Sequence, residues 1–121
     1  MKAKKFELFM CCMGNGITVC NSAVTECGDY KYIAHISETG NIKYHVPVDY
    51  IPEESRKKIE DAAKDQRLEW ENYFSSLPDI NQYEYLLDHF PVDIYVSFIH
   101  NDKSLKERIA EGKQKLLQIH F

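Results

Sequence analysis

Strand-like segments fill the first half of this chain and helix-like segments fill the second, with no interleaving. Between Phe6 and Val46 four apolar-alternating stretches are separated by Gly-containing turns; from Pro52 onward the apolar spacing becomes helical. Strands that run consecutively must pair through hairpins, and the helices that follow must cover one face of the resulting sheet. The expected fold is therefore α+β: a four-stranded antiparallel meander followed by three to four helices, the first long helix packed on the sheet. With 121 residues the chain is expected to form a single domain, 1–121, with a strand half, 1–50, and a helical half, 51–121.

The second hairpin is the best-determined element. Glu38-Thr39-Gly40 makes a three-residue loop with Gly at the left-handed position. Counting outward pairs Ile36 with Ile42, Ala34 with Tyr44 and Tyr32 with Val46, all on one face. Lys31, Ile33, His35, Lys43 and His45 fall on the other. For the first hairpin, a two-residue Asn15-Gly16 turn pairs Cys12 with Val19, Cys11 with Cys20 and Met10 with Asn21, whereas a three-residue loop would swap the pairing. That register places Leu8, Met10, Cys12, Val19 and Ala23 on one face, and Phe9, Cys11, Cys20 and Ser22 on the other. Cys27-Gly28-Asp29 is the expected turn between the hairpins.

Pro52 suits a helix start, and Ile59, Ala62, Ala63, Gln66, Trp70, Tyr73, Phe74 and Leu77 recur at helical spacing up to Pro78. The stripe is expected to cover the Ile36/Ile42 face, where burying Trp70 and Phe74 contributes about 3–6 kcal/mol before entropy is counted. Ile80, Tyr83, Leu86, Leu87 and Phe90 mark a second helix. Val92 to His100 alternates like a strand at first, but its position between helices favours a short buried helix. Asn101 or Asp102 is the expected cap of a last helix with Leu105, Ile109 and Leu116 inside.

Composition narrows the chemistry. A net charge of −4 argues against a constitutive nucleic-acid binder and is too mild for a dense acidic mimic of DNA. The N-terminal segment lacks the apolar core of a secretory signal, and no apolar run approaches the roughly 20 residues of a membrane span. A cytoplasmic protein without membrane association is expected. Cys11, Cys12, Cys20 and Cys27 show no CxxC spacing, so reduced thiols acting as small hydrophobes are expected, with no cofactor.

His35 and His45 share the polar hairpin face, but no third ligand joins them at a defined spacing. Cys20 or Cys27 with His35 lacks the helix N-terminus that activates a thiolate. Gly14-Asn15-Gly16 matches neither phosphate-loop spacing and reads as a turn. Arg56, Lys57 and Lys58 precede Glu60 and Asp61, a mixed-sign helix face, and Lys2, Lys4 and Lys5 form only a short basic arm. Eight tyrosines are the one excess, and Tyr is enriched at protein contact surfaces. Tyr30, Tyr50 and Tyr85 are the candidate binding residues, with no catalytic or metal residue expected.

The runs Phe6-Glu7-Leu8, Gly14-Asn15-Gly16-Ile17-Thr18-Val19-Cys20-Asn21 and Gly28-Asp29-Tyr30-Lys31, with Ile33-Ala34-His35-Ile36, Asp49-Tyr50-Ile51-Pro52 and Leu86-Leu87-Asp88, carry a resemblance. The chain resembles a mostly uncharacterised family of small accessory proteins from conjugative elements and phages of gut Firmicutes. By analogy with such cargo proteins, the resemblance implies interference with host defence. The concrete expectation is a non-enzymatic anti-CRISPR protein that binds and inhibits a larger partner, a Cas9-type nuclease. The runner-up is a DNA-associated accessory or regulatory protein using the basic helix residues. A third reading is a metal-binding module or enzyme using Cys20, Cys27, His35 and His45.

Overall fold

The computed structural model describes residues 6–12, 16–22, 31–99 and 102–119. Four antiparallel strands come first: β1 (Leu8–Cys12), β2 (Gly16–Asn21), β3 (Lys31–Ser37) and β4 (Ile42–Tyr44), in sheet order β1-β2-β3-β4. A single turn of 3-10 helix, Val48–Tyr50, leads into α1 (Glu53–Ser76), α2 (Asp79–His89), α3 (Val92–Ile99) and α4 (Leu105–Leu117). The α+β meander expected from the strand-then-helix order is the observed fold. Asn15, Ala23, the Cys27-Gly28-Asp29 turn, the Lys2/Lys4/Lys5 arm and Asn101 lie outside the described residues.

The β3–β4 pairing follows its turn chemistry. Ala34 stands opposite Tyr44, His35 opposite Lys43 and Ile36 opposite Ile42. Gly40 adopts φ +88°, the left-handed conformation its loop position demands. One expectation fails on this hairpin. Pairing with β2 shifts between Val19 and Cys20, where Val19 faces Ala34 but Cys20 faces Tyr32. The extra residue is Ile33, so Ile33 and Ala34 are both buried and the alternation resets. Tyr32 consequently leaves the apolar face and stacks on His45, with ring centroids 4.4 Å apart.

The β1–β2 register also differs from expectation. Cys12 pairs with Ile17, Cys11 with Thr18, Met10 with Val19 and Phe9 with Cys20. The displacement is two residues, which preserves the face of every side chain because the strand period is two. Cys11 and Cys20 therefore sit diagonally rather than opposite one another.

The chain forms two compact units, one comprising the sheet and α1 through Trp70, the other beginning at Glu71 and ending at Ile119. In the first, Val19, Ile33, Ala34 and Ile36 from the sheet pack with Ile51, Ile59 and Ala63. Trp70 is only 3% exposed but lies outside this cluster, and Phe74 belongs to the second unit. Both rings are buried, as expected, though neither belongs to the sheet cluster. A helix of 24 residues is about 36 Å long, whereas strands of three to seven residues span about 10–23 Å. Ile59 and Ala63 of α1 join the sheet cluster, and Gln66 and Arg67 reach the β3–β4 turn.

Phe74 instead packs edge-on to Tyr85 at 5.8 Å and stands 6.0 Å below Lys113 Nζ. In the same unit Leu86 of α2, Phe98 of α3, and Ile109 and Leu116 of α4 are buried. Gly112 permits the close approach: a Cβ there would lie 2.7 Å from Leu86 Cδ1 and 2.9 Å from Phe98 Cε2. Ser104, not Asp102, caps α4, its Oγ accepting from Glu107 N and donating to Glu107 Oε1. The Ser104 hydroxyl thereby satisfies one orphan amide of the first turn, and the Glu107 carboxylate orients that hydroxyl. Tyr73 and Leu105, expected inside, are exposed, each displaced by a neighbour one residue or one turn away that points inward, Phe74 and Ile109.

Candidate functional site

Positions 92–99 depart furthest from their expected environment. The helix forms, but it is not buried: Phe98 alone points fully inward. Phe98 is held by Phe90 at 5.1 Å and Tyr83 at 5.3 Å, and Arg108 stands over the Tyr83 ring at 4.7 Å while donating to the Tyr83 hydroxyl. Fixing that face leaves the other outward. Val92 is 80% exposed, Tyr95 38%, Val96 47% and Ile99 37%. These positions are spaced i, i+3, i+4 and i+7, so the four side chains form one continuous apolar stripe along α3.

The exposed charged side chains that α2 and α3 themselves carry have one sign. α2 and α3 expose Asp79, Glu84, Asp88 and Asp93. No Lys or Arg occurs between Arg67 and Lys103 in the sequence. The modest net charge of the chain conceals this local acidity, because lysines elsewhere offset it. Counting charge by segment recovers the signal from the sequence alone.

The three candidate tyrosines have separate fates. Tyr30 lies outside the described residues. Tyr50, in the 3-10 turn, is half-buried and packs edge-on to Phe6 at 6.4 Å, beside the sheet cluster. Tyr85, on α2, is half-buried between Phe74, Tyr73 and His89, the last stacked at 3.9 Å. Tyr50 and Tyr85 belong to different units. Among the described residues the exposed tyrosines are Tyr32, Tyr73 and Tyr95, which residue type alone does not distinguish from the others.

Cys11, Cys12 and Cys20 are free thiols. Burial, and then the neighbouring Cys11, push the Cys20 thiol above its ordinary value, which disfavours the nucleophilic thiolate. His35 is held below its ordinary value by burial first and by His45 second. Among the described residues no three His, Cys, Asp or Glu side chains converge as a metal site. The basic side chains near the start of α1, Arg56, Lys57 and Lys64, line one shallow depression with Glu53, Glu60 and Asp61, so their charge is mixed. No described helix is long and apolar enough to cross a membrane.

No protein-family model, curated protein or solved structure matches this chain.

Proposed function

We propose that this chain is a non-enzymatic binding protein that inhibits a larger partner by occupying its surface, and that the α3 stripe is its principal contact. The carrying observation is the solvent exposure of Val92, Tyr95, Val96 and Ile99 on one helix face. Soluble proteins rarely leave a contiguous apolar helix face open without a partner for it. An amphipathic helix laid into a groove is a recurrent recognition mode, read through anchors at this same spacing.

The acidic setting selects the partner's chemistry. Asp79, Glu84, Asp88 and Asp93 favour a groove lined with Lys and Arg and disfavour an acidic one. Cas9-type nucleases carry positively charged channels for guide and target. Together with the resemblance to mobile-element accessory proteins, this makes inhibition of such a nuclease, by blocking guide or target loading, the concrete form of the proposal. The protein would act in the cytoplasm of the host cell.

The test is cleavage of a matched target by a guide-loaded Cas9-type nuclease, titrated with the protein, alongside capture of that nuclease. Stoichiometric inhibition is expected. Val96→Glu and Tyr95→Ala should each weaken capture at least tenfold with an unchanged melting temperature, since both side chains are already exposed. Full cleavage at excess protein rejects the nuclease as partner. Inhibition that survives both substitutions rejects the α3 face.

A further inference from the structure

β4 is an edge strand, and the hairpin's own hydrogen bonds define which of its backbone groups are left over. Ser37 N donates to Asn41 O and His45 N donates to Ile33 O, so the bonded pairs of this ladder fall at Asn41, Lys43 and His45. In an antiparallel pair the intervening residues turn their backbone groups the other way. Ile42 and Tyr44 therefore direct N–H and C=O away from β3. Among the described residues β4 pairs with β3 alone, so these groups form an unextended ladder at the margin of the sheet.

Alongside this edge lies a groove of about 310 Å³ between the hairpin and α1, lined by Gly40, Ile42, Glu60, Ala63, Lys64 and Arg67. Ile42 and Ala63 supply its apolar lining, and Arg67 is held by the turn through Thr39 and Asn41. Glu60 and Lys64, one helical turn apart, have opposite signs. The groove therefore suits an aliphatic side chain better than a charged one. On the other face of the same strand Lys43 is exposed. Its cross-strand neighbour is His35, and none of the four strands contains an Asp or Glu.

We infer that the β4 edge captures an extended peptide segment of another protein, one that alternates aliphatic and acidic residues, by adding it to the sheet as a further strand. The ladder selects the class of ligand, because donors and acceptors at strand spacing are matched by an extended backbone. Alternation then divides the side chains of the peptide. Those on the Ile42/Tyr44 side enter the groove beside α1. Those on the other side stand next to the Lys43 ammonium, which no carboxylate on the strands neutralises. The same lysine disfavours a second copy of this chain. Two-fold pairing of β4 with itself would set Ile42 against Tyr44 and Lys43 against Lys43, a like-charge pair. With three residues in β4 the added ladder is short, so binding is weak and readily reversed.

Amide hydrogen exchange followed by NMR reads this edge residue by residue. In the free protein Ile42 and Tyr44 should exchange fast and Lys43 slowly, because only Lys43 donates within the hairpin. The probe is a short peptide alternating Glu and Val. Its controls are the same peptide with Lys for every Glu, and two analogues N-methylated at every Val or at every Glu. The Glu/Val peptide should slow exchange at Ile42 and Tyr44. Each methylated analogue has lost the donors along one edge only, so one of the two should fail to bind. Lys43→Glu should weaken the Glu/Val peptide about threefold or more and admit the Lys/Val peptide instead, since the cross-strand charge is reversed. Melting temperature, unchanged because Lys43 is exposed, establishes that the variant folds. Slow exchange at Ile42 and Tyr44 in the free monomer would overturn the inference, as would protection that grows with protein concentration alone. So would unchanged exchange in excess Glu/Val peptide, or equal binding by both methylated analogues. Val96→Glu and Tyr95→Ala lie in the other compact unit and leave this assay untouched, so it stands or falls apart from nuclease inhibition.

Discussion

Arg67 of α1 donates from Nε to the carbonyl oxygen of Thr39, 28 residues earlier, and from its terminal nitrogen to Asn41 Oδ1. One guanidinium thus ties both sides of the β3–β4 turn to the helix, assisted by Gln66 Nε2 donating to Glu38 O at 2.9 Å. Gly40 makes the approach feasible, since a Cβ there would lie 2.7 Å from the Ala63 carbonyl oxygen. Arg67→Ala should cost about 1.5–3 kcal/mol by chemical denaturation, the range for hydrogen bonds from a charged donor. Arg67→Lys should recover less than half, because a single ammonium cannot reproduce the planar fork. Full recovery with Lys would mean that charge, not geometry, holds the turn.

Gly112 sets a sharper contest between local and tertiary effects. Alanine in a helix interior gains about 1 kcal/mol over glycine. At Gly112 the added methyl meets Leu86 and Phe98, both buried and without room to retreat. Overpacking costs about 1–3 kcal/mol, so Gly112→Ala should lower the melting temperature or at best leave it unchanged. A rise would show that the α4 contact is slack.

Trp70 is almost fully buried, and Trp70→Ala should cost about 3–5 kcal/mol through cavity formation. Urea unfolding followed by circular dichroism measures this without relying on the lost fluorophore. A cost below about 1 kcal/mol would place the indole in solvent.

Thiol reactivity should follow exposure and charge. Cys12 is exposed, whereas the Cys20 thiol is raised by burial and by Cys11. Iodoacetamide at mildly alkaline pH, mapped by mass spectrometry, should modify Cys12 several-fold faster than Cys20. The opposite order would mean that Cys20 is more accessible than its partial burial allows.

His35 predicts a pH dependence with a definite sign. Its folded value lies below the ordinary 6.5, through burial and then His45. The unfolded chain therefore binds the proton more readily, and stability falls as pH drops from about 6.5 toward the lowered folded value. His35→Gln should flatten melting temperature against pH in that window. An unchanged slope would assign the effect to other groups.

The β3–β4 hairpin was legible because two independent signals, a three-residue loop ending in Gly40 and alternation around Ile36 and Ala34, demanded the same register. The α1 and α2 boundaries followed from Pro52, Pro78 and Pro91. Ile33 was not legible: an apolar residue on the polar face reads as tolerated exposure, and only the bulge against Val19 and Cys20 reveals that it is buried. Ser104 and Glu107 do spell a capping box in the sequence, but Asn101 and Asp102 compete with them. The exposure of α3 could not be read at all. Val92, Tyr95, Val96 and Ile99 carry the same apolar signature whether a helix is enclosed or open, and burial depends on neighbours distant in sequence.

The two compact units divide at Trp70 and Glu71, inside α1 rather than in a loop. A genetic truncation at that point would cut a continuous ladder of i to i−4 bonds, so neither portion can be excised with its helix termini intact. Recombination among related genes, which exchanges segments most readily at loops, has no neutral seam here. A sheet with its open edge and a helical layer with its open face are thereby inherited together, and selection on either surface carries the other along.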